Sequence, residues 1–370
     1  MNQPAYFHKV LPAGARADAE ELGWLQVAGR LQAPALLERT RRDDHTEVIT
    51  YEDVFASGRC HHLLGDLIAL ADHGRAPASN VADFIDTVCD SLIASAATTG
   101  RTTALGNCVP ALYTDRIRPG GRVDQWYLTP NLTLTDTQTG EPVPLRTLTG
   151  YTATLNGTRL PFDLPDIIER ARHALNPDSR FATAITQGDP TEPNLATSAV
   201  GPCWLDFEHA GRNTLPGEIA NLLWYLLALG GWLVPAYQSD VYARTLRLHL
   251  PPACTPTLAR PAELSARHTH LNLDYTWPTR AGRRTAITRL LTRITSDLGE
   301  AAGLPPGRQL HALGPFLTLR ILGVIPPHHL TQHDLLLLIA KLAQAQHLDS
   351  VPLTDHDTVA LAAPAPVEAP

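Results

Sequence analysis

The chain has 370 residues, 44% of them hydrophobic and 18% charged, which is enough apolar material for a substantial core and more length than one ordinary domain needs. A formal net charge of -7 argues against a nucleic-acid footprint or a polybasic membrane patch, since both require clustered excess Lys and Arg. Cys60, Cys89, Cys108, Cys203 and Cys254 are scattered without a C-x-x-C pair, which speaks against a disulfide framework or zinc ribbon and for a reducing, cytoplasmic setting.

The opening MNQPAYFHKVLPAGARADAEEL lacks the basic-then-apolar order of a secretory signal, so the sequons at Asn131 and Asn156 are read as accidents. Residues 4–10 read as a strand and 17–32 as an amphipathic helix with Leu22, Leu25 and Leu31 on one side. Residues 34–42 and 46–55 read as a hairpin around Asp43-Asp44-His45. From Cys60 onward the pattern turns helical (61–73, 80–97, 163–175, 216–230, 239–249, 279–298, 331–346). A Thr-rich, strand-like stretch at 127–155 and a Pro-rich loop at 248–264 interrupt it. The apolar run 219–236 has nearly the length of a membrane span, but Asn221, Gly230, Gly231 and Pro235 break it and it reads as a core helix. The segment 334–346 is too short to span and carries Lys341 in its polar stripe. Residues 351–370 read as a solvated Pro/Ala tail. The fold class expected is α+β, a small mixed portion followed by a larger helical one.

The chemistry concentrates in 182–213, where Asp189 is followed by Asn194 and then by Asp206. Phosphoryl transfer from a nucleotide needs a carboxylate to accept the attacking hydroxyl's proton and hard oxygen ligands to hold Mg²⁺ against the phosphates. In this spacing Asp189 is the candidate base, and the Asn194 amide oxygen and the Asp206 carboxylate are the candidate metal ligands. His328, His329 and His333 lack the ligand spacing of a metal site, and no G-x-S-x-G or G-x-x-x-x-G-K-[ST] motif is present.

The Gly188-Asp189-Pro190 turn, the later Asp206-Phe-Glu-His-Ala-Gly-Arg stretch and Glu218-Ile-Ala-Asn-Leu-Leu-Trp together resemble the aminoglycoside phosphotransferase and choline kinase family. The match is strong over about 182–230. The resemblance implies a protein-kinase-like bilobal fold: a shortened β-rich small lobe at 1–55, a large helical lobe at 56–350 and the tail. It implies transfer of the γ-phosphate of ATP or GTP, with Mg²⁺, to a hydroxyl of a small molecule or to a Ser/Thr of a precursor peptide. It also implies an early-strand lysine on the phosphates. Lys9 fits, and only Lys9 and Lys341 are lysines in this chain. Its acidic helical partner stays open among Asp18, Glu20 and Glu21, with the register of Leu22 and Trp24 favouring Asp18. Residues 50–55, with Tyr51 and Asp53, would form the hinge facing the base. Glu218 is read as structural. Gln187 stands where the family has His, a change that removes none of the assigned groups, so activity is expected to survive. No Gly-rich turn precedes Lys9, which leaves open a longer reading frame, another cover for the phosphates, a protein partner completing the small lobe, or a non-catalytic binding module.

Overall fold

The computed structural model describes residues 6–42, 44–109, 112–129, 131–248 and 255–348. The expected tail at 351–370, positions 4 and 5 of the first expected strand, and Cys254 lie outside the described residues. The architecture is mixed α+β, with a small β-sheet region and a larger helical part.

The first strand, β1 (Tyr6–Pro12), leads into helix α1 (Ala15–Val27), which is followed by β2 (Leu36–Arg41) and β3 (Thr46–Glu52). The strands pair antiparallel in the order β1-β3-β2, with Lys9 opposite Ile49. Val48, Ile49 and Tyr51 of the central β3 are buried, as its run of β-branched and aromatic side chains favours. The helix does not present the face that its leucines suggest. Its buried positions are Ala17, Glu20, Gly23 and Val27, whereas Leu22 and Leu25 are 60% and 57% exposed. Close approach is the cause: a Cβ at position 23 would lie 1.9 Å from the Phe207 carbonyl oxygen. No side chain fits at position 23, so that face of the helix turns inward there and Leu22 and Leu25 face outward.

The larger part continues with β4 (Cys60–Leu63), α2 (Leu64–Asp72), α3 (Ala78–Thr99) and β5 (Arg101–Ala104). Further on come α4 (Leu164–Ala174), β6 (Arg180–Thr186), β7 (Leu195–Ser198), β8 (Gly201–Trp204) and β9 (Gly211–Thr214). Then follow α5 (Leu215–Trp224), α6 (Ala281–Ile294), α7 (Gly314–Gly323) and α8 (Gln332–Ala345). Two small sheets, β9-β6-β5 and β8-β7-β4, frame the loops 187–194 and 205–210. The helix α5 runs on through π-helical turns, Tyr225–Leu233, to Tyr237, and 83% of its most apolar window is buried in the fold.

Three sequence expectations are corrected. The Pro-rich stretch 248–264 is not loop throughout, because Glu263–Ser265 is an edge strand of a four-stranded sheet with His270–Leu273, Tyr151–Leu155 and Thr158–Phe162. It pairs with His270–Leu273, close by in sequence, but at three residues it is too short to show the alternation by which a strand is read. The helix α7 has no counterpart among the expected helices; it is buried on nearly every side, and an all-round apolar helix carries no 3.6-residue contrast. Lys341 is fully buried rather than in a polar stripe, with its ammonium 4.2 Å from the centre of the Trp277 ring and 5.6 Å from that of Tyr275.

Candidate active site

Lys9 projects from β1 toward α1 and the loop after β8. Its Nζ donates to Glu20 Oε2 at 2.7 Å and to Asp206 Oδ1 at 2.5 Å. Burial alone would pull this ammonium down, but the carboxylates of Asp206 and Glu20 outweigh it and hold the group above its ordinary value. Glu20 is fully buried and also accepts from the Tyr51 hydroxyl at 2.8 Å and the Phe207 N–H at 3.0 Å. One carboxylate thus ties β1, α1, β3 and the 206–207 segment together.

Asp18, favoured by the leucine register, is not the partner of Lys9. It lies on the outer side of α1, 2.7 Å from Arg39, which also holds Glu21 at 2.7 Å. The glycine seam that turns Gly23 inward turns Glu20 inward with it, three residues earlier on the same helix face.

Asp206 follows β8 with φ 63, a left-handed conformation that Asp tolerates better than most residues and that cleft loops often store. Gln187 fixes this loop against the other: its Nε2 donates to the carbonyls of Leu205, at 2.8 Å, and of Asp206, and its Oε1 accepts the Asp189 N–H at 2.9 Å. The amide is fully buried and acts as donor to one loop and acceptor from the other. Gly188 has φ 93, and a Cβ there would lie 1.9 Å from the His209 carbonyl oxygen, so glycine is required twice over. Its N–H donates to Glu218 Oε2 at 3.4 Å. Burial pushes the Glu218 carboxyl up to about 8.

The Asp189 side chain is 30% exposed. Its Oδ1 accepts from Asn221 Nδ2 at 2.7 Å and faces Arg320 Nη2 at 3.4 Å. Asn194 Nδ2 donates to the Asp189 carbonyl at 2.9 Å and stands 3.5 Å from Oδ2. Oδ1 is therefore the more firmly held oxygen, and Oδ2 carries only the long contact from Asn194. Between them in sequence, Glu192 is buried and paired with Arg283 at 2.6 and 3.1 Å, which braces the 189–194 loop on α6.

Lys9, Asn194 and Asp206 line one cavity of about 410 Å³ between the small sheet and the larger part. Tyr51, Leu63 and Leu205 give it apolar walls, and Phe55 and Arg247 close one end with the guanidinium 4.1 Å above the ring. Tyr51 belongs to β3 rather than to the connecting turn, and its hydroxyl is committed to Glu20. Asp53 lines the cavity while its carboxylate accepts the N–H groups of Phe55 and Ala56 at 2.9 and 3.0 Å, so it shapes the turn.

The donor set fits a hard cation. Asn194 has its amide nitrogen engaged, which leaves its oxygen for a ligand, and Asp206 is 41% exposed. Among the described residues no three His, Cys, Asp or Glu side chains form a cage.

Sequence reasoning missed Asn221, Arg320, and the Glu192–Arg283 pair. The signals were present: Asn221 interrupts an apolar helix and Arg320 sits inside the apolar run of α7, positions where a buried polar group needs a partner.

No protein-family model matches the chain, and no curated protein does. Among solved structures the chain is similar to glucosamine kinase in complex with glucosamine, ADP and inorganic phosphate, with TM-score 0.41, 14% identity, and coverage of 94% of this chain and 68% of that one. It is similar to the amicoumacin kinase hAmiN in complex with AMP-PNP, Ca²⁺ and Ami, with TM-score 0.42, 11% identity, and coverage of 95% and 84%. It is also similar to the aminoglycoside phosphotransferase APH(3'')-Id from Streptomyces rimosus in complex with ADP and streptomycin, with TM-score 0.37, 14% identity, and coverage of 66% and 81%.

Proposed function

We infer that this chain transfers the γ-phosphate of a nucleoside triphosphate to a hydroxyl of a small molecule, using residues of about 1–55 and 56–350 as two lobes around the nucleotide. One observation carries the reading: a half-buried lysine paired with a fully buried glutamate meets Asp206 at a cavity that also holds Asn194, with Asp189 bonded to Asn194 behind it. A scaffold has no physical need for that combination of a phosphate-holding cation, two hard oxygen donors and an open carboxylate.

In this reading the nucleotide base lies between Leu63, Leu205 and the 52–55 turn, and the Lys9 ammonium holds the phosphates. Asn194 and Asp206 would hold a divalent metal ion, which supplies positive charge against the phosphate oxygens when bound. Asp189 Oδ2 accepts the proton of the acceptor hydroxyl as its oxygen bonds to the γ-phosphorus. The bond from that phosphorus to the β–γ bridging oxygen breaks, and the nucleoside diphosphate leaves. Asn221 keeps the carboxylate aimed during this step.

Isothermal titration of ATP with Mg²⁺ tests the nucleotide half. Metal-dependent binding is expected for the native chain and for Asp189→Asn, and not for Asp206→Ala. The transfer half is read as ADP release over a panel of hydroxyl acceptors, with Asp189→Asn lowering any stimulated rate by about 10²- to 10⁴-fold. Binding indifferent to Asp206→Ala, in a protein shown to be folded, would remove the basis for the assignment.

A further inference from the structure

Arg320 stands against Asp189, and two further guanidinium groups, Arg116 and Arg122, gather at the backbone carbonyl one helical turn along from it, in a chain whose net charge is -7. Arg320, on α7, is 7% exposed and reaches Asp189 Oδ1 with Nη2 at 3.4 Å, while its buried Nε has no hydrogen-bond partner among the described residues. One helical turn further along, the Gly323 carbonyl accepts from both Arg116 Nη1 and Arg122 Nη1, each at 3.2 Å. Arg122 is exposed and lies 5.1 Å from the centre of the Trp126 ring. Burial, together with the charges of Arg320 and Arg122, pulls Arg116 down to about 10. The Asp189 carboxylate is shared with Asn221 and is also the group left open for the reaction, so it is a poor counter-ion for this cluster.

Resting on the phosphotransfer reading above, we propose that the acceptor carries an anionic oxygen group, a carboxylate or a phosphate ester, seated on Arg116 and Arg320 next to its reacting hydroxyl. Guanidinium forks match planar carboxylates and phosphate oxygens, and Arg320 has an unused N–H within the same side chain that touches the base. The same charges disfavour a polycationic acceptor at this position. The anion also screens Asp189 from the full field of the cluster, leaving Oδ2 to take the proton.

The test uses the full chain saturated with Mg²⁺ and AMP-PNP, so that the nucleotide site is filled. Inorganic phosphate and glycerate are titrated as probes, and ADP release with ATP is measured for glucose 6-phosphate and glycerate against glucosamine. The native chain is expected to bind an anionic probe and to turn over at least one anionic acceptor with kcat/KM tenfold or more above glucosamine. Arg116→Gln should raise KM for that acceptor at least tenfold with nucleotide affinity unchanged, and Arg116→Lys should recover part of the loss. Equal anion binding by native and Arg116→Gln protein, or turnover of glucosamine in preference to both acids, overturns the proposal while leaving phosphotransfer intact. Loss of AMP-PNP binding in the native chain points instead at the nucleotide reading.

Discussion

The Lys9 ammonium lies 2.5 Å from an Asp206 carboxylate oxygen although 197 positions separate the two residues. Glu20, 2.7 Å from the same ammonium, completes the arrangement from the inward face of α1. A cation held between a buried and a half-exposed carboxylate stays charged and fixed.

Glu20 rather than Asp18 is therefore the acid whose loss matters. Glu20→Ala strands donors from Lys9, Tyr51 and Phe207, and is expected to cost about 3 kcal/mol of stability, within the range for breaking a buried pair. It should also weaken nucleotide binding at least tenfold. Asp18→Ala removes one arm of an exposed Arg39 cluster and should cost less than about 1 kcal/mol. Urea unfolding and nucleotide titration of the two variants side by side decide between the acids.

Glu192 and Arg283 are buried partners under the 189–194 loop. Arg283→Met leaves a buried carboxylate uncompensated and should destabilise the chain by about 3–5 kcal/mol. The double variant Glu192→Gln with Arg283→Met is expected to recover a large part of that loss, because neither charge then remains. A double-mutant cycle in urea measures the coupling.

The buried carboxyl of Glu218 is pushed up to about 8, from an ordinary carboxyl value near 4.5. In the folded state it keeps its proton where the unfolded chain has lost it. Its contribution to stability is thus complete below about 4.5 and is lost as pH rises through about 8. Glu218→Gln, which cannot ionise, should flatten that decline. Comparing melting temperatures of the two proteins from pH 5 to pH 9 checks the sign, and a native curve that rises relative to the variant contradicts it.

Gln187 couples the two loops through a single side chain. Gln187→Ala should lower kcat by about 10²-fold, the scale expected when reacting groups lose about 1 Å of registration, while nucleotide affinity changes little. Gln187→His retains a donor and an acceptor and should keep more of the activity than alanine does. Steady-state kinetics on an identified acceptor separates the two effects.

Much of this molecule was legible in the chain itself. The strand with Lys9, the hairpin of β2 and β3, the longer helices other than α7 and the Asp189–Asn194–Asp206 spacing are local patterns, set by side-chain periodicity and turn chemistry within a few residues. The inward face of α1 was not legible, because the glycine seam against Phe207 overrides the leucine periodicity that a linear reading follows. Nor was the setting of Asp189, whose neighbours Asn221 and Arg320 come from helices remote in sequence. Sequence alone determined which chemical groups the chain owns and the order in which it presents them. Tertiary structure decided which acid meets Lys9, which oxygen of Asp189 is held more firmly and where the guanidiniums gather. Those outcomes depend on close packing and on satisfying buried polar groups, conditions that arise only when distant segments meet.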